Sequence, residues 1–251
     1  MLHRLLLTLA CIAVSVQSLS VQKGRQCVIK ICHNKDCTKR GGGEQLSQIF
    51  RDLIPTSDDI VVPSIKSSGC LSKCGNGPNI CVIKNGSEEK LYFGISDATS
   101  ASAVLDVAVE EPFPIELLVA ADVIAKVCTT KDMAKKEQLL TSAITQLTKD
   151  NNPFLSESYA HGHALYLRSD VRVEKSPSDV EGAINDARRA VQIIPNEIKA
   201  WRVLASAEEA GGNLEASISA VRKWIEVDPS FATKAKREIE RLVSTSRLFD
   251  T

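Results

Sequence analysis

Three shortages narrow what this chain does. Aromatic side chains make up only 4% of its 251 residues, which leaves little surface for stacking bases and sets nucleic-acid binding aside. Formal charge sums to zero, with 31 Lys and Arg against 31 Asp and Glu, so no overall field draws the chain to a polyanion and any charged partner must be met by a local patch. The apolar run at residues 5–16 is short of the roughly 20 residues that a membrane-spanning helix needs, so no retained span is expected. There is also no nucleophile–base pair, no phosphate-binding glycine loop opening a helix and no dinucleotide fingerprint. Intrinsic catalysis is therefore not expected.

No acidic residue precedes Asp36. His3 and Arg4 stand before the apolar run, which ends in Val16-Gln17-Ser18; this is the layout of a signal peptide covering residues 1–18. Residues 19–26 hold Lys23 and Arg25 and form a short acid-free targeting segment. The two parts resemble the bipartite presequence of algae whose plastids lie inside the endomembrane system, although Leu19 stands where that pattern usually has an aromatic residue. A plastid destination is expected, with the mitochondrion or the secretory pathway as alternatives.

Cysteine is where the chain is specific. Past the signal there are Cys27, Cys32, Cys37, Cys70, Cys74, Cys81 and Cys128, an odd number that argues against a complete disulfide framework. Four of them make two close pairs, Cys32-x4-Cys37 and Cys70-x3-Cys74, as a four-thiolate centre requires. The β-branched segment at 27–31 predicts a strand delivering Cys32 at its carboxyl end, where ligand sites of α/β folds tend to lie. The run Gly41-Gly42-Gly43 predicts close backbone approach to an inorganic core, with amides donating to its sulfur. Leu46, Ile49, Phe50, Leu53 and Ile54 recur at helical spacing, so a helix is expected over 44–54. A strand is expected over 60–65, a hairpin of 80–83 with 91–95 across Asn85-Gly86, and a closing helix over 98–109. Asn85-Gly86-Ser87 is also a glycosylation sequon, but the turn reading explains more.

Ile31-Cys32-x4-Cys37-x3-Gly41-Gly42, then Ser68-Gly69-Cys70-x3-Cys74-Gly75-x-Gly77-Pro78, then Tyr92-Phe93-Gly94 resemble the thioredoxin-like [2Fe–2S] ferredoxins and the related small subunit of NADH dehydrogenases and hydrogenases. The resemblance covers residues 27–109 and implies a one-electron carrier whose cluster is held by Cys32, Cys37, Cys70 and Cys74, each iron taking two of them. Structural zinc is the alternative occupant, though zinc gives no reason for the glycines. A disulfide oxidoreductase wants Cys-x-x-Cys, which neither pair has, and a Rieske centre needs two His ligands, of which only His33 is at hand. His33 is expected as a solvated loop residue. Lys35, Lys39, Arg40 and Lys73 are placed to stabilise a negative centre or to guide an acidic redox partner, or simply form a solvated face. Cys27, Cys81 and Cys128 are expected as small buried residues.

Residues 110–153 read as a connector of two amphipathic helices. Beyond it, a shift of 34 residues aligns Ile184 with Ile218, Ala187 with Val221, Ala190 with Trp224 and Pro195 with Pro229, the period of tetratricopeptide helix pairs. The unit at 198–229 resembles that repeat, with departures at Glu208 and Ser217, where the family favours a large aromatic and Ala. An earlier unit near Ser156 needs extra residues around 170–178, and 232–248 reads as a capping helix. His161 and His163, two apart on a helix, point to different sides and read as ordinary repeat residues. The expected architecture is an α/β thioredoxin-like ferredoxin domain followed by an all-α TPR-like helical repeat domain over 154–251. Its expected work is electron transfer or adaptor function, with a protein partner met through the repeats. The alternatives are an assembly scaffold in which the metal is structural, or a subunit of a larger oxidoreductase.

Overall fold

In strand β1 (Cys27–Cys32) the odd-numbered residues face inward: Ile29 and Ile31 are wholly buried, while Lys30 on the opposite face reaches Glu89. That alternation is the signature of a strand with one covered face. The computed structural model describes residues 27–54, 62–72, 74–86, 89–109, 113–175 and 179–249, with side chains to residue 245. The signal and targeting segments expected at 1–26, and Lys73, lie outside the described residues.

After β1 come a short helix α1 (Lys35–Lys39) and the helix α2 (Glu44–Leu53), whose Leu46, Ile49, Phe50 and Leu53 are buried. Strand β2 (Ser64–Ser68) pairs parallel with β1, while β3 (Asn79–Lys84) pairs antiparallel with β1 and with β4 (Glu89–Phe93). The sheet is mixed, four-stranded, with order β2-β1-β3-β4. The strand expected over 60–65 is found at 64–68, three to four places later; residues 60 and 61 lie outside the described residues, and Pro63 has no N–H to give the ladder, so pairing begins at Ser64. Asn85 and Gly86 both take positive φ, 54° and 67°, as a tight hairpin turn demands. Helix α3 (Ala98–Val109) packs with α2. Ile29, Ile31, Phe50, Ile80 and Leu105 form one core with Ala101, each large side chain contributing about 1.5–3 kcal/mol by leaving water.

The rest of the described chain is helical: α4 (Ile115–Thr129), α5 (Met133–Thr148), α6 (Pro153–Ser156), α7 (Tyr159–Lys175), α8 (Val180–Ile193), α9 (Ile198–Ala210), α10 (Leu214–Val227) and α11 (Ala232–Phe249). Helices α4 and α5 share a continuous core with all the later long helices, through Leu117, Ile124, Leu140, Leu147, Ala164 and Val221. One turn of α4 faces both ways, since Ala120 belongs to this core and Ala121 to the sheet's. The extra residues around 170–178 lengthen α7, which continues to Lys175; residues 176–178 are not described. Glu208 and Ser217 are buried, and each has a polar partner. Glu208 accepts from Arg188 Nε at 2.7 Å and from Asn213 Nδ2 at 2.9 Å, and Ser217 Oγ donates to the Ala205 carbonyl at 2.8 Å. Among the described residues no helix is long and apolar enough to cross a membrane.

Candidate metal centre

The four expected ligands lie on two segments at one end of the sheet. Cys32 ends β1 and Cys37 sits in α1, both only 1% exposed; Cys70 and Cys74 occupy the loop between β2 and β3, both exposed. Asn34 caps α1 by accepting from the Asp36 N–H, which turns Cys37 back toward Cys32. The Cys70 and Cys74 sulfurs are 3.3 Å apart.

Several contacts hold the loops against each other. Arg40 Nη1 donates to the Gly75 carbonyl at 2.7 Å and the His33 N–H donates to the Ser68 carbonyl at 2.9 Å, while Asn79 Nδ2 at the start of β3 ties down the second loop by donating to the Ser72 carbonyl at 2.8 Å. The proton affinities carry the same message. Burial alone would raise Cys32, but the N–H groups of Asn34 and Leu71 and the Cys37 thiol outweigh it, so the Cys32 thiol is held below its ordinary value. Leu71 belongs to the other loop, so that sulfur is gripped from both sides. Burial, the Cys32 thiol beside it and the charge of Cys74 push Cys37 up. The Cys70 thiol pushes Cys74 up.

Space is also reserved. A Cβ added to Gly77 would stand 2.6 Å from Cys37 Sγ, and one added to Gly42 would stand 2.8 Å from the Cys37 carbonyl. Four thiols, amides aimed at two of them and a cradle that a methyl group would fill are a donor set suited to a thiolate-ligated cluster. Among the described residues no three His, Cys, Asp or Glu side chains converge as a single ion would need; the sulfurs stand as two pairs.

The glycine run works differently from expectation. Gly41, Gly42 and Gly43 give their N–H groups to the carbonyls of Thr38, Cys37 and Cys32, and the amides that reach sulfur belong to Asn34, Leu71 and Asn79. His33 is half-buried rather than solvated, its Nε2 standing 3.2 Å from Ser47 Oγ. Lys35 and Lys39 are exposed on α1, and Arg40 is engaged with Gly75. Cys27 and Cys81 are buried as expected. Cys128 is not: Val127 takes the inward position on α4, and the next residue turns to the wall of a cleft.

No family model, curated protein or solved structure matches the chain.

That cleft, about 790 Å³, lies between α2 and the helical array and is lined by Gln48, Ile49, Tyr166, Arg202 and Trp224 among others. At its inner end His163 Nδ1 meets Asp52 Oδ1 at 2.8 Å, both side chains being buried, and Gln48 Nε2 is 3.1 Å from the same nitrogen. Sequence reasoning missed Asp52 and read His163 as an ordinary repeat residue. The available signal was Gln45, Gln48 and Asp52 falling at helical spacing beside the apolar stripe of α2. His161 goes the other way, donating from Nδ1 to the Ser156 carbonyl at 2.6 Å, so the two histidines share no ligand.

Proposed function

We propose that the chain is an iron–sulfur electron carrier or adaptor, holding one [2Fe–2S] cluster by Cys32, Cys37, Cys70 and Cys74 in a thioredoxin-like ferredoxin domain. The helical array, of tetratricopeptide type, sets which protein partner that domain meets. The observation that carries this is the arrangement of four sulfurs as two pairs on two facing segments, the β1–α1 turn and the β2–β3 loop. A tetrahedral metal bonded to sulfur at about 2.3 Å separates two thiolates by about 3.8 Å, and Cys70 and Cys74 stand close to that spacing. Cys32 and Cys37, whose thiols act on each other's proton affinity, make the second pair, and four such ligands suit a two-iron centre in which each iron takes two of them.

The strand order and the α2 crossover between parallel strands support the thioredoxin-like reading of the first half. The packed helix pair α9 and α10, with its 34-residue relation to α8, supports the tetratricopeptide reading of the second. When bound, the cluster supplies one-electron chemistry. The protein's part is to present four thiolates, to donate amides to their sulfurs, and to leave one pair at the surface where a redox partner reaches it. Exposed Lys35 and Lys39 favour an acidic face on that partner. We place the carrier in a plastid, a destination tested by fusing residues 1–26 to a fluorescent reporter.

The chain from residue 19 onward is to be purified without oxygen, its iron and acid-labile sulfide counted, and its spectrum followed through reduction. About two irons and two sulfides per chain, with a reversible one-electron bleach, are expected. Zinc without labile sulfide overturns the proposal. A cluster that resists reduction turns it toward the assembly scaffold.

A further inference from the structure

Two of the four thiols differ from the others in access. Cys70 and Cys74 are exposed with their sulfurs 3.3 Å apart, whereas Cys32 and Cys37 are 1% exposed. A disulfide of about 2.05 Å needs the first pair to close by roughly 1.2 Å. Both flanks of the pair are open, because a Cβ added to Gly69 or Gly75 would meet nothing within 4 Å. Cys32 is placed otherwise, its sulfur held by the Asn34 and Leu71 amides in the interior. Cys128 is exposed but is not paired with another cysteine among the described residues.

We propose that Cys70 and Cys74 form a thiol–disulfide site in the metal-free chain, oxidised by a small-molecule disulfide such as oxidised glutathione, and that its closure prevents metal loading. The thiolate of one cysteine attacks a sulfur of oxidised glutathione, forming a mixed disulfide and expelling one glutathione thiolate. The second cysteine thiolate then attacks the protein-side sulfur of that mixed disulfide and expels the other. Two electrons pass from two cysteine thiols to one glutathione disulfide, and the two thiol protons end on the two glutathiones released. A sulfur in a disulfide has no thiolate to give a metal, so oxidation and ligation exclude each other. The disulfide site stands on the sulfur geometry alone, while its effect on loading rests on the proposed cluster centre.

The test uses the metal-free chain from residue 19 onward carrying Cys128→Ser. It is equilibrated without oxygen in buffers of stepped glutathione to oxidised glutathione ratio, quenched by acid, alkylated and mapped by mass spectrometry. The peptide holding Cys70 and Cys74 should lose two hydrogens while Cys27, Cys32, Cys37 and Cys81 stay alkylated. Cys74→Ser should instead hold glutathione at Cys70. Iron uptake from ferrous iron and sulfide should fall to background in the oxidised sample and return after dithiothreitol. Full alkylation of Cys70 and Cys74 at every ratio, or closure of Cys32 with Cys37 first, overturns the disulfide site. Undiminished iron uptake by the oxidised chain overturns the block on loading. Should the disulfide form while the reduced chain takes up no iron, the cluster assignment fails and the thiol site stands.

Discussion

Asp52 on α2 and His163 on α7 meet at 2.8 Å with 1% and 5% of their side chains exposed. Cysteine-bearing and helical halves of the chain are thus joined by a buried polar contact, and α2 belongs to both. At its N-terminus the Gly43 N–H holds the Cys32 carbonyl, and near its C-terminus Asp52 holds the helical array.

Removing one partner of that pair strands the other in the interior. Asp52→Ala should cost about 3 kcal/mol, and His163→Ala a similar amount, read as a shift in the denaturant midpoint. The double variant should cost clearly less than the sum, because the two losses are one contact. Additive costs would show that the pair is not the joint.

The reserved space at Gly77 makes a separate claim on the metal centre. Gly77→Ala puts a methyl group 2.6 Å from Cys37 Sγ and should lower iron content and cost about 1–3 kcal/mol by overpacking. Gly69→Ala, with nothing within 4 Å, should leave iron content unchanged. Iron per chain, compared between the two, is the measurement.

Ligand choice is checked residue by residue. Cys70→Ser and Cys74→Ser should each abolish the visible spectrum of the reconstituted centre, and Cys81→Ser should leave it intact, because Cys81 is buried in β3 beside Lys30 and away from the loops. Loss of iron in the Cys81 variant would mean that the quartet is wrongly chosen.

His161 predicts an acid-side weakness. Burial holds the ring neutral and its pKa below the ordinary value near 6.5, with the Ser156 carbonyl only partly opposing and Arg189 adding to the shift. Below about pH 6.5 the unfolded chain therefore binds a proton that the folded chain refuses, and stability present at neutral pH is lost as pH falls toward the depressed folded value. Unfolding free energies from denaturant titrations between pH 7 and pH 5 should drop with a slope of at most about 1.4 kcal/mol per pH unit from this group. The His161→Asn variant should show a shallower fall.

Local features were legible in the residues themselves. The 12-residue helix α3 lies where apolar spacing predicts it, the Asn85-Gly86 turn has the positive φ values its residue types favour, and Cys32 stands at the carboxyl end of its strand as its β-branched flank predicts. Pro63 moved a strand because a missing N–H acts on a ladder, and the ladder exists only once a partner strand is present. The glycine amides were assigned to the wrong acceptors for a related reason: spacing brings a run near a site but does not say which carbonyl or sulfur lies in the direction of each N–H.

What the sequence by itself determined is local: where helices α2 and α3 and the hairpin turn fall, and which thiols come in pairs. These depend on neighbours a few places away, where side-chain period, glycine freedom and proline act directly. Only the tertiary structure decided that Leu71 would supply an amide to Cys32, that Cys70 and Cys74 would be the open pair, and that Asp52 would reach His163, 111 residues further on. Contacts of that kind depend on how packed elements are placed in space, because burial and desolvation act on whatever the fold brings together.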